Sequence, residues 1–185
     1  LMPALRLVLP WVVLGGLVLG GFGLRLWGSE WRLPFTMNVD EPVVMDQAAG
    51  IVRTGDLNPR RFIYPSLQIY LQAGIDWLHL RWGVANGLYR GVDDVPEGSH
   101  VITTAPGFYI WGRIGTAVLG ALTVLFTALA GRWLGGWRVG LTAGLLLAVS
   151  PLHVGRSRFV TPDVPASAFA ALALLGAVAI WRQPA

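Results

Sequence analysis

The chain has 185 residues, of which 54% are hydrophobic and only 13% charged, against roughly 25% charged residues in ordinary soluble domains. All 14 basic residues are arginines, they outnumber the ten acids, and the formal net charge is +4. These arginines are dispersed beside apolar stretches, which favours anionic lipid head groups over nucleic acid as partners. Cysteine is absent, which excludes a disulfide framework and a thiolate metal site. The composition indicates an integral membrane protein.

Four strongly apolar stretches, residues 7–26, 108–130, 139–154 and 164–181, predict four transmembrane helices. A bilayer core requires about 20 apolar residues per helix, and three of the stretches reach or approach that length. The first stretch could also be a cleaved signal peptide. Because no small-residue cleavage site follows it, we interpret it as a retained span.

The charges flanking these stretches predict the topology. If each stretch crosses once, one side carries only basic residues: Arg6, Arg132, Arg138 and Arg182. All ten acids lie on the other side. The positive-inside rule makes the arginine-only side cytoplasmic. The acids therefore face the non-cytoplasmic side, and we expect a prokaryotic plasma membrane.

The external loop, residues 28–107, is predicted to contain two interfacial helices. The first, residues 40–54, places Val44, Ala48, Ile51 and Val52 on one face, and the turn residues from Gly55 to Pro59 end it. The second, residues 66–82, combines a polar stripe of Gln68, Gln72, Asp76 and His79 with an apolar face of Leu67, Tyr70, Leu71, Ile75 and Leu78.

The second helix is expected to lie along the membrane surface rather than to cross it. Crossing would bury Asp76 near the bilayer centre at a cost of roughly 2.5–3.5 kcal/mol. It would also place Arg132 and Arg138 outside. Residues 83–106 are polar and rich in glycine, and we interpret them as a solvated loop. The acids Asp93, Asp94 and Glu97 lack the spacing of a calcium loop.

Two acidic sites follow or precede predicted spans at the outer face. Asp40 and Glu41 follow the first span, and Asp163 precedes the fourth. Each site has a structural alternative, since Asp40 and Asp163 could cap the helices that begin there. However, carboxylates at a membrane boundary are costly unless they are used or paired.

Arginines accompany these acids. Arg156 and Arg158 precede Asp163, and Arg60 and Arg61 lie between the surface helices. Guanidinium groups suit phosphate, although snorkelling to lipid head groups is an alternative for Arg60 and Arg61. No spacing of His and acidic residues indicates a tightly held metal.

Two blocks of sequence resemble a known family. The first comprises Asn38-Val39-Asp40-Glu41-Pro42, Gly55-Asp56-Leu57-Asn58-Pro59 and Phe62-Ile63-Tyr64-Pro65-Ser66-Leu67. The second comprises Gly112-Arg113, residues 119–124, Ser150-Pro151-Leu152-His153-Val154 and residues 157–163. Together they resemble polyprenyl-phosphate-dependent glycosyltransferases of the protein O-mannosyltransferase superfamily, which have the GT-C fold and belong to a family 39-like group.

The resemblance implies an all-α polytopic membrane enzyme, of which residues 1–185 are the N-terminal part of one GT-C module. Such enzymes transfer a sugar from a polyprenyl-phosphate donor to a hydroxyl of a protein, lipid or glycan acceptor at the outer membrane face. Asp40 matches the catalytic base, Glu41 a residue that places the acceptor, and Asp163 the acid of the second external loop. The candidates for the donor phosphate are Arg158, Arg156 and Arg113. No cofactor is required by the pattern, and a divalent cation is possible.

A different class of protein is the main alternative. A polytopic transporter or a non-catalytic membrane subunit would share the apolar stretches. A transporter is expected to place ionisable residues near the bilayer midplane. The predicted spans contain no acid there, which favours the transferase.

Overall fold

The computed structural model describes residues 2–36, 38–96 and 102–182. These residues form six helices: α1 (Met2–Leu26), α2 (Asp40–Thr54), α3 (Ser66–Ala85), α4 (Pro106–Ala148), α5 (Pro151–Arg156) and α6 (Asp163–Trp181). A short 3-10 turn covers Val92–Asp94. The described part contains no sheet, and its isolated bridge pairs Phe35 with Ile102. The predicted all-α class is confirmed.

Three helices in the described residues are long and apolar enough to cross a membrane: Arg6–Leu26, Pro106–Ala148 and Asp163–Trp181. Four spans were predicted. The difference arises in α4, which has 43 residues and contains two of the predicted stretches, 108–130 and the first part of 139–154.

Helix α4 is a hairpin rather than one straight rod. Its backbone leaves the helical region at Gly135 and at Gly136, where φ is 82°, a left-handed conformation that favours glycine. Beyond this turn the second arm packs back against the first. A Cβ on Gly140 would clash with the carbonyl oxygen of Ala128 and would lie 2.8 Å from the amide nitrogen of Arg132. Two apolar arms therefore occupy the place of the two predicted spans.

The second arm ends earlier than predicted. The stretch 139–154 was expected to be one span, but α4 ends at Ala148 and a separate short helix starts at Pro151. Ser150 is extended, with ψ of 116°. Proline has no N–H and disfavours the helical conformation of the residue before it, so the helix stops ahead of Pro151.

The chain divides into two compact units. The first comprises Leu1–Trp27, Ala117–Ser157 and Asp163–Ala185. Where the α4 hairpin turns, the Arg132 guanidinium lies 4.7 Å from the ring centre of Trp11 and 4.3 Å from that of Trp137. Arg182, just after α6, donates to the carbonyl of Leu134 at 2.9 Å. Arginines predicted to share a side therefore gather at one end of this unit.

The opposite end of the same unit surrounds a buried arginine. Arg25 is fully buried and donates to the carbonyls of Gly21 at 2.7 Å, Ala148 at 3.2 Å and Leu147 at 3.3 Å. Its Nη2 also lies 2.9 Å from Nδ1 of His153. These bonds satisfy carbonyls at the C-terminal end of α4 and attach α5 to α1.

The second unit comprises Gly28–Thr116 and Arg158–Pro162. Helix α2 begins and ends at the predicted residues, and Gly55 terminates it in a left-handed conformation with φ of 71°. Val44, Ala48 and Ile51 are buried as expected. Its core adds α3, Phe108 and Tyr109 of α4, and Val160.

Helix α3 buries the polar stripe that the sequence predicted on one of its faces. Gln68, Gln72, Asp76 and His79 are all buried, Asp76 completely. By contrast, Leu67 and Leu78, on the predicted apolar face, are 52% and 54% exposed. A Cβ on Gly112 would lie 2.7 Å from the side-chain amide of Gln72. The polar side of α3 therefore packs closely against the first turns of α4.

Candidate functional site

The centre of the second unit is a buried ion pair between two residues predicted to act separately. Arg113 Nε donates to Glu41 Oε1 at 2.8 Å, and its Nη2 donates to Oε2 at 2.7 Å. The Glu41 side chain is fully buried and that of Arg113 is 1% exposed. This paired geometry is the strongest form of an arginine–carboxylate contact.

Both partners of this pair have further contacts. Arg113 Nη1 donates to the carbonyls of Ser29 at 2.7 Å and Trp31 at 3.2 Å. Glu41 Oε1 also accepts the backbone N–H of Val160 at 3.0 Å. Of the five N–H groups of a guanidinium, these bonds leave Arg113 one. The pair thus joins four separate parts of the unit, and little of Arg113 remains for a donor phosphate.

Asp40 has a different environment from its neighbour Glu41. It is the first residue of α2, whose N-cap is Val39, so its own side chain does not cap the helix. Instead, Tyr64 O–H donates to Asp40 Oδ1 at 2.6 Å, and the Asp40 backbone N–H bonds to Asn38 Oδ1 at 3.0 Å. The carboxylate is only partly buried, and its Oδ2 has no hydrogen bond within the described residues. The capping alternative for Asp40 is therefore wrong in this structure.

The segment Arg158–Pro162 belongs to the same unit as Asp40, Glu41 and Arg113. Phe159 lies under the Arg113 guanidinium, 5.2 Å from ring centre to Cζ. Val160 is held by Glu41 as described above. Arg158, one residue before Phe159, is partly buried. Four of the six predicted site residues are thus brought into one compact unit.

The remaining two predicted residues, Asp163 and Arg156, belong to the first unit. Arg156 Nη1 lies 3.8 Å from Asp163 Oδ2, and the two side chains are 49% and 57% exposed. Exposed pairs of this kind contribute about 0–1 kcal/mol. The geometry shows the two residues as surface partners, and their catalytic and phosphate-binding roles stay predictions.

Sequence reasoning missed Tyr64 and Arg25. Tyr64 was noted only as part of a motif, and nothing in its local pattern shows that its hydroxyl reaches Asp40, 24 residues earlier. A signal existed for Arg25, since an arginine in the last turn of an apolar helix needs a polar partner. Among the described residues no three His, Asp or Glu side chains gather as a metal site, and the possible divalent cation stays a prediction.

Comparison with known proteins supports the resemblance over the C-terminal part of the chain. Residues 95–184 match the family model described as dolichyl-phosphate-mannose-protein mannosyltransferase. The match includes Arg113, Arg156, Arg158 and Asp163 but not Asp40 and Glu41. No curated protein and no solved structure shows a significant match. The predicted resemblance to this mannosyltransferase family is confirmed over these 90 residues, just under half of the chain.

Proposed function

We propose that this protein is a membrane glycosyltransferase that moves a sugar from a polyprenyl-phosphate donor to an acceptor hydroxyl at the non-cytoplasmic membrane face, with Asp40 as the general base. The matched family is described by a dolichyl-phosphate-mannose donor and a protein acceptor, so mannose and a protein hydroxyl are the first sugar and acceptor to test. Attack on the anomeric carbon requires removal of the acceptor proton and stabilisation of the departing phosphate.

The observation that carries this proposal is the contrast between Asp40 and Glu41. Both oxygens of Glu41 are occupied by Arg113, which favours a structural role for Glu41. Asp40 keeps one oxygen for a substrate while Tyr64 holds the other. A base must lie within hydrogen-bond reach of the proton that it removes. We therefore assign Asp40 as base, Tyr64 as the residue that orients it, and the Glu41–Arg113 pair as its support.

The donor phosphate is assigned to Arg158. It precedes the Phe159 and Val160 contacts that attach its segment to the Glu41–Arg113 pair. Arg113 has four of its N–H groups engaged and is not assigned this role. A guanidinium offers two parallel donors to a phosphate, which lysine cannot reproduce.

Variants of the enzyme in native membranes test both assignments. Asp40→Asn keeps the shape of the side chain and its bond from Tyr64, but it removes the proton acceptor. Transfer should fall by about 10²–10⁴-fold, with unchanged membrane yield and donor affinity. Arg158→Lys should instead weaken donor binding, and Arg158→Ala should weaken it further, by roughly 1.5–3 kcal/mol.

Asp93→Asn is the matched control, because Asp93 is exposed on the 3-10 turn. It should transfer sugar at the wild-type rate. Near-normal transfer by Asp40→Asn would remove Asp40 as the base. Equal donor affinity in the three proteins with Arg, Lys or Ala at position 158 would remove Arg158 from the donor site.

A further inference from the structure

A cavity with a volume of about 280 Å³ lies beside the C-terminal half of α2, in the second unit. Three arginines, Arg53, Arg60 and Arg61, line it together with Gln47 and Asn58. We name this cavity the basic pocket. Its volume is slightly below the roughly 300–1,000 Å³ of sites for drug-sized ligands, which suits a small ligand or a head group.

The charges around the basic pocket favour an anion. Asp46 is the acidic residue in its lining, against the three arginines. Asp56 pairs with Arg60 at 2.8 Å, but both side chains are well exposed, so this pair is weak and can exchange for another anion. Arg53 Nη1 donates to the carbonyl of Pro96 at 2.9 Å. That bond fixes the direction of one guanidinium at the pocket wall.

One residue that lines the basic pocket has a buried side-chain amide without a hydrogen-bond partner. Gln47 is 93% buried, and neither its Nε2 nor its Oε1 has a hydrogen bond within the described residues. A buried amide without partners is unfavourable. Both atoms are closed off from solvent, so Nε2 would reach an oxygen of a ligand in the pocket only after the side chain turns toward the cavity.

The loop that carries two of the arginines adopts an uncommon backbone conformation. Arg60 has φ of 61°, in the left-handed region that residues other than glycine rarely occupy. Its backbone N–H is held by Asn58 Oδ1 at 2.9 Å. Strain of this kind persists where the surrounding structure imposes it, often at ligand sites. In this protein the residue with the uncommon conformation is Arg60, which lines the basic pocket together with Arg61.

We infer that the basic pocket binds a phosphate group, at a site separate from Asp40. Asp40 and Gly50 lie on the same helix, ten residues and about 15 Å apart along its axis. Planar guanidinium groups bind phosphate oxygens in pairs. The phosphate can belong to a soluble phosphate ester or to a lipid head group. This inference goes beyond the proposed transfer reaction and does not depend on it.

One glycine allows the pocket to be filled without changing its charge. Gly50 lines the pocket within α2, and a Cβ added to it would meet no atom within 4 Å. Gly50→Leu should therefore occupy the cavity while leaving the helix intact. Gly74 in α3 is also helical, also has open space, and does not line the pocket. Gly74→Leu is the matched control.

The chain, purified in a phosphate-free non-ionic detergent, is titrated by calorimetry with inorganic phosphate, glycerol phosphate and a short-chain phosphatidylglycerol. Wild type and Gly74→Leu should bind at least one of these with one saturable site. Gly50→Leu should bind it at least tenfold more weakly and should unfold at the same or a higher temperature, since leucine favours helix over glycine. Tighter binding of the lipid identifies a head-group site, and tighter binding of the two soluble probes identifies a site for a soluble ester.

A charge variant provides a second measurement if Gly50→Leu fails to fold. Arg61→Gln should weaken binding at least tenfold, whereas Arg81→Gln, an exposed position on α3, should not change it. Absence of saturable binding to all three probes in wild type would overturn the inference. Equal weakening by Arg61→Gln and Arg81→Gln would also overturn the inference. Such a result would show that the net charge of the protein attracts the phosphate probe without a specific site.

Discussion

Two adjacent acids, Asp40 and Glu41, have opposite environments in this protein. Successive residues at the start of a helix point about 100° apart, so one side chain can enter the core while the next stays at the surface. Glu41 enters and meets Arg113. Asp40 stays partly exposed and meets Tyr64. In the proposed function, Glu41 therefore supports the site and Asp40 takes part in the reaction.

At the residue scale we predict that Glu41→Gln lowers the stability of the folded protein, and that any loss of transfer activity follows from this. The amide keeps the size of the side chain but leaves the buried Arg113 guanidinium without a counter-charge. Removing one partner of a buried pair costs roughly 3–5 kcal/mol. Thermal unfolding in detergent should show a large loss for Glu41→Gln and almost none for Asp40→Asn.

The double variant Glu41→Gln with Arg113→Met supplies the control, because it removes the unpaired charge along with its partner. It should recover part of the lost stability. If Glu41→Gln unfolds like wild type and only loses acceptor affinity, the role predicted from the sequence is correct and the structural role is wrong.

At the scale of elements, α3 buries the side that its pattern marked as polar. Asp76 Oδ1 accepts a bond from Gln72 Nε2 at 2.8 Å, but its Oδ2 has no partner within the described residues. Burial raises the pKa of Asp76 well above its ordinary value, and the bond from Gln72 opposes this only in part. The folded state therefore favours the neutral acid.

This raised pKa predicts a pH dependence of stability. The unfolded chain releases the Asp76 proton above about pH 4, while the folded chain retains it to a higher pH. Stability of the wild type should consequently fall as the pH rises from about 4 toward the raised pKa. Asp76→Asn removes this loss, so its advantage in unfolding temperature should grow between pH 4.5 and 7.5.

The exposed variant Asp93→Asn, measured alongside, should show no such growth. A constant difference between Asp76→Asn and wild type across this pH range would mean that Asp76 is ionised in the folded protein.

The hairpin in α4 depends on close contact between its two arms. A side chain on Gly140 would meet the backbone of Ala128 and Arg132, and backbone cannot move aside as a side chain can. Gly140→Ala should lower stability by about 1–3 kcal/mol, the usual cost of overpacking. Unfolding in detergent with increasing denaturant measures this change.

Gly176 in α6 is the matched position, because a Cβ there would meet no atom within 4 Å. Gly176→Ala should be neutral or stabilising by up to about 1 kcal/mol through helix propensity. Similar effects at both glycines would mean that the arms of α4 are not in contact in the membrane.

At the scale of the whole molecule, the charge pattern predicts which loops share a side of the membrane. The chain contains no cysteine, so a cysteine introduced at one position is the sole thiol among these 185 residues. Asn86, Arg156 and Arg138 are exposed in the structure. In intact cells, Asn86→Cys and Arg156→Cys should react with an impermeant thiol reagent, and Arg138→Cys should react only after lysis. Labelling of Arg138→Cys in intact cells would reverse the proposed orientation.

Much of the fold followed from local pattern. The bounds of α2, the apolar helices and the turn at Gly55 were predictable because they depend on periodicity, hydrophobic length and glycine conformation over a few residues. The acids at positions 40, 41 and 163 were also recognisable as candidates. The sequence prediction placed one span over residues 139–154 on apolar content alone. It therefore did not include the end of α4 before Pro151.

The partners of the site residues depended on the tertiary structure. Glu41 and Arg113 are 72 residues apart, and both are charged groups whose local context fits surface or ligand roles equally well. Only the tertiary contact between the start of α2 and the first turns of α4 decides that they satisfy each other in the core. The same holds for α3, since its two faces were clear from the sequence but the face that turns inward was not. An amphipathic pattern determines that a helix has two sides, whereas the surfaces it meets determine which side is buried.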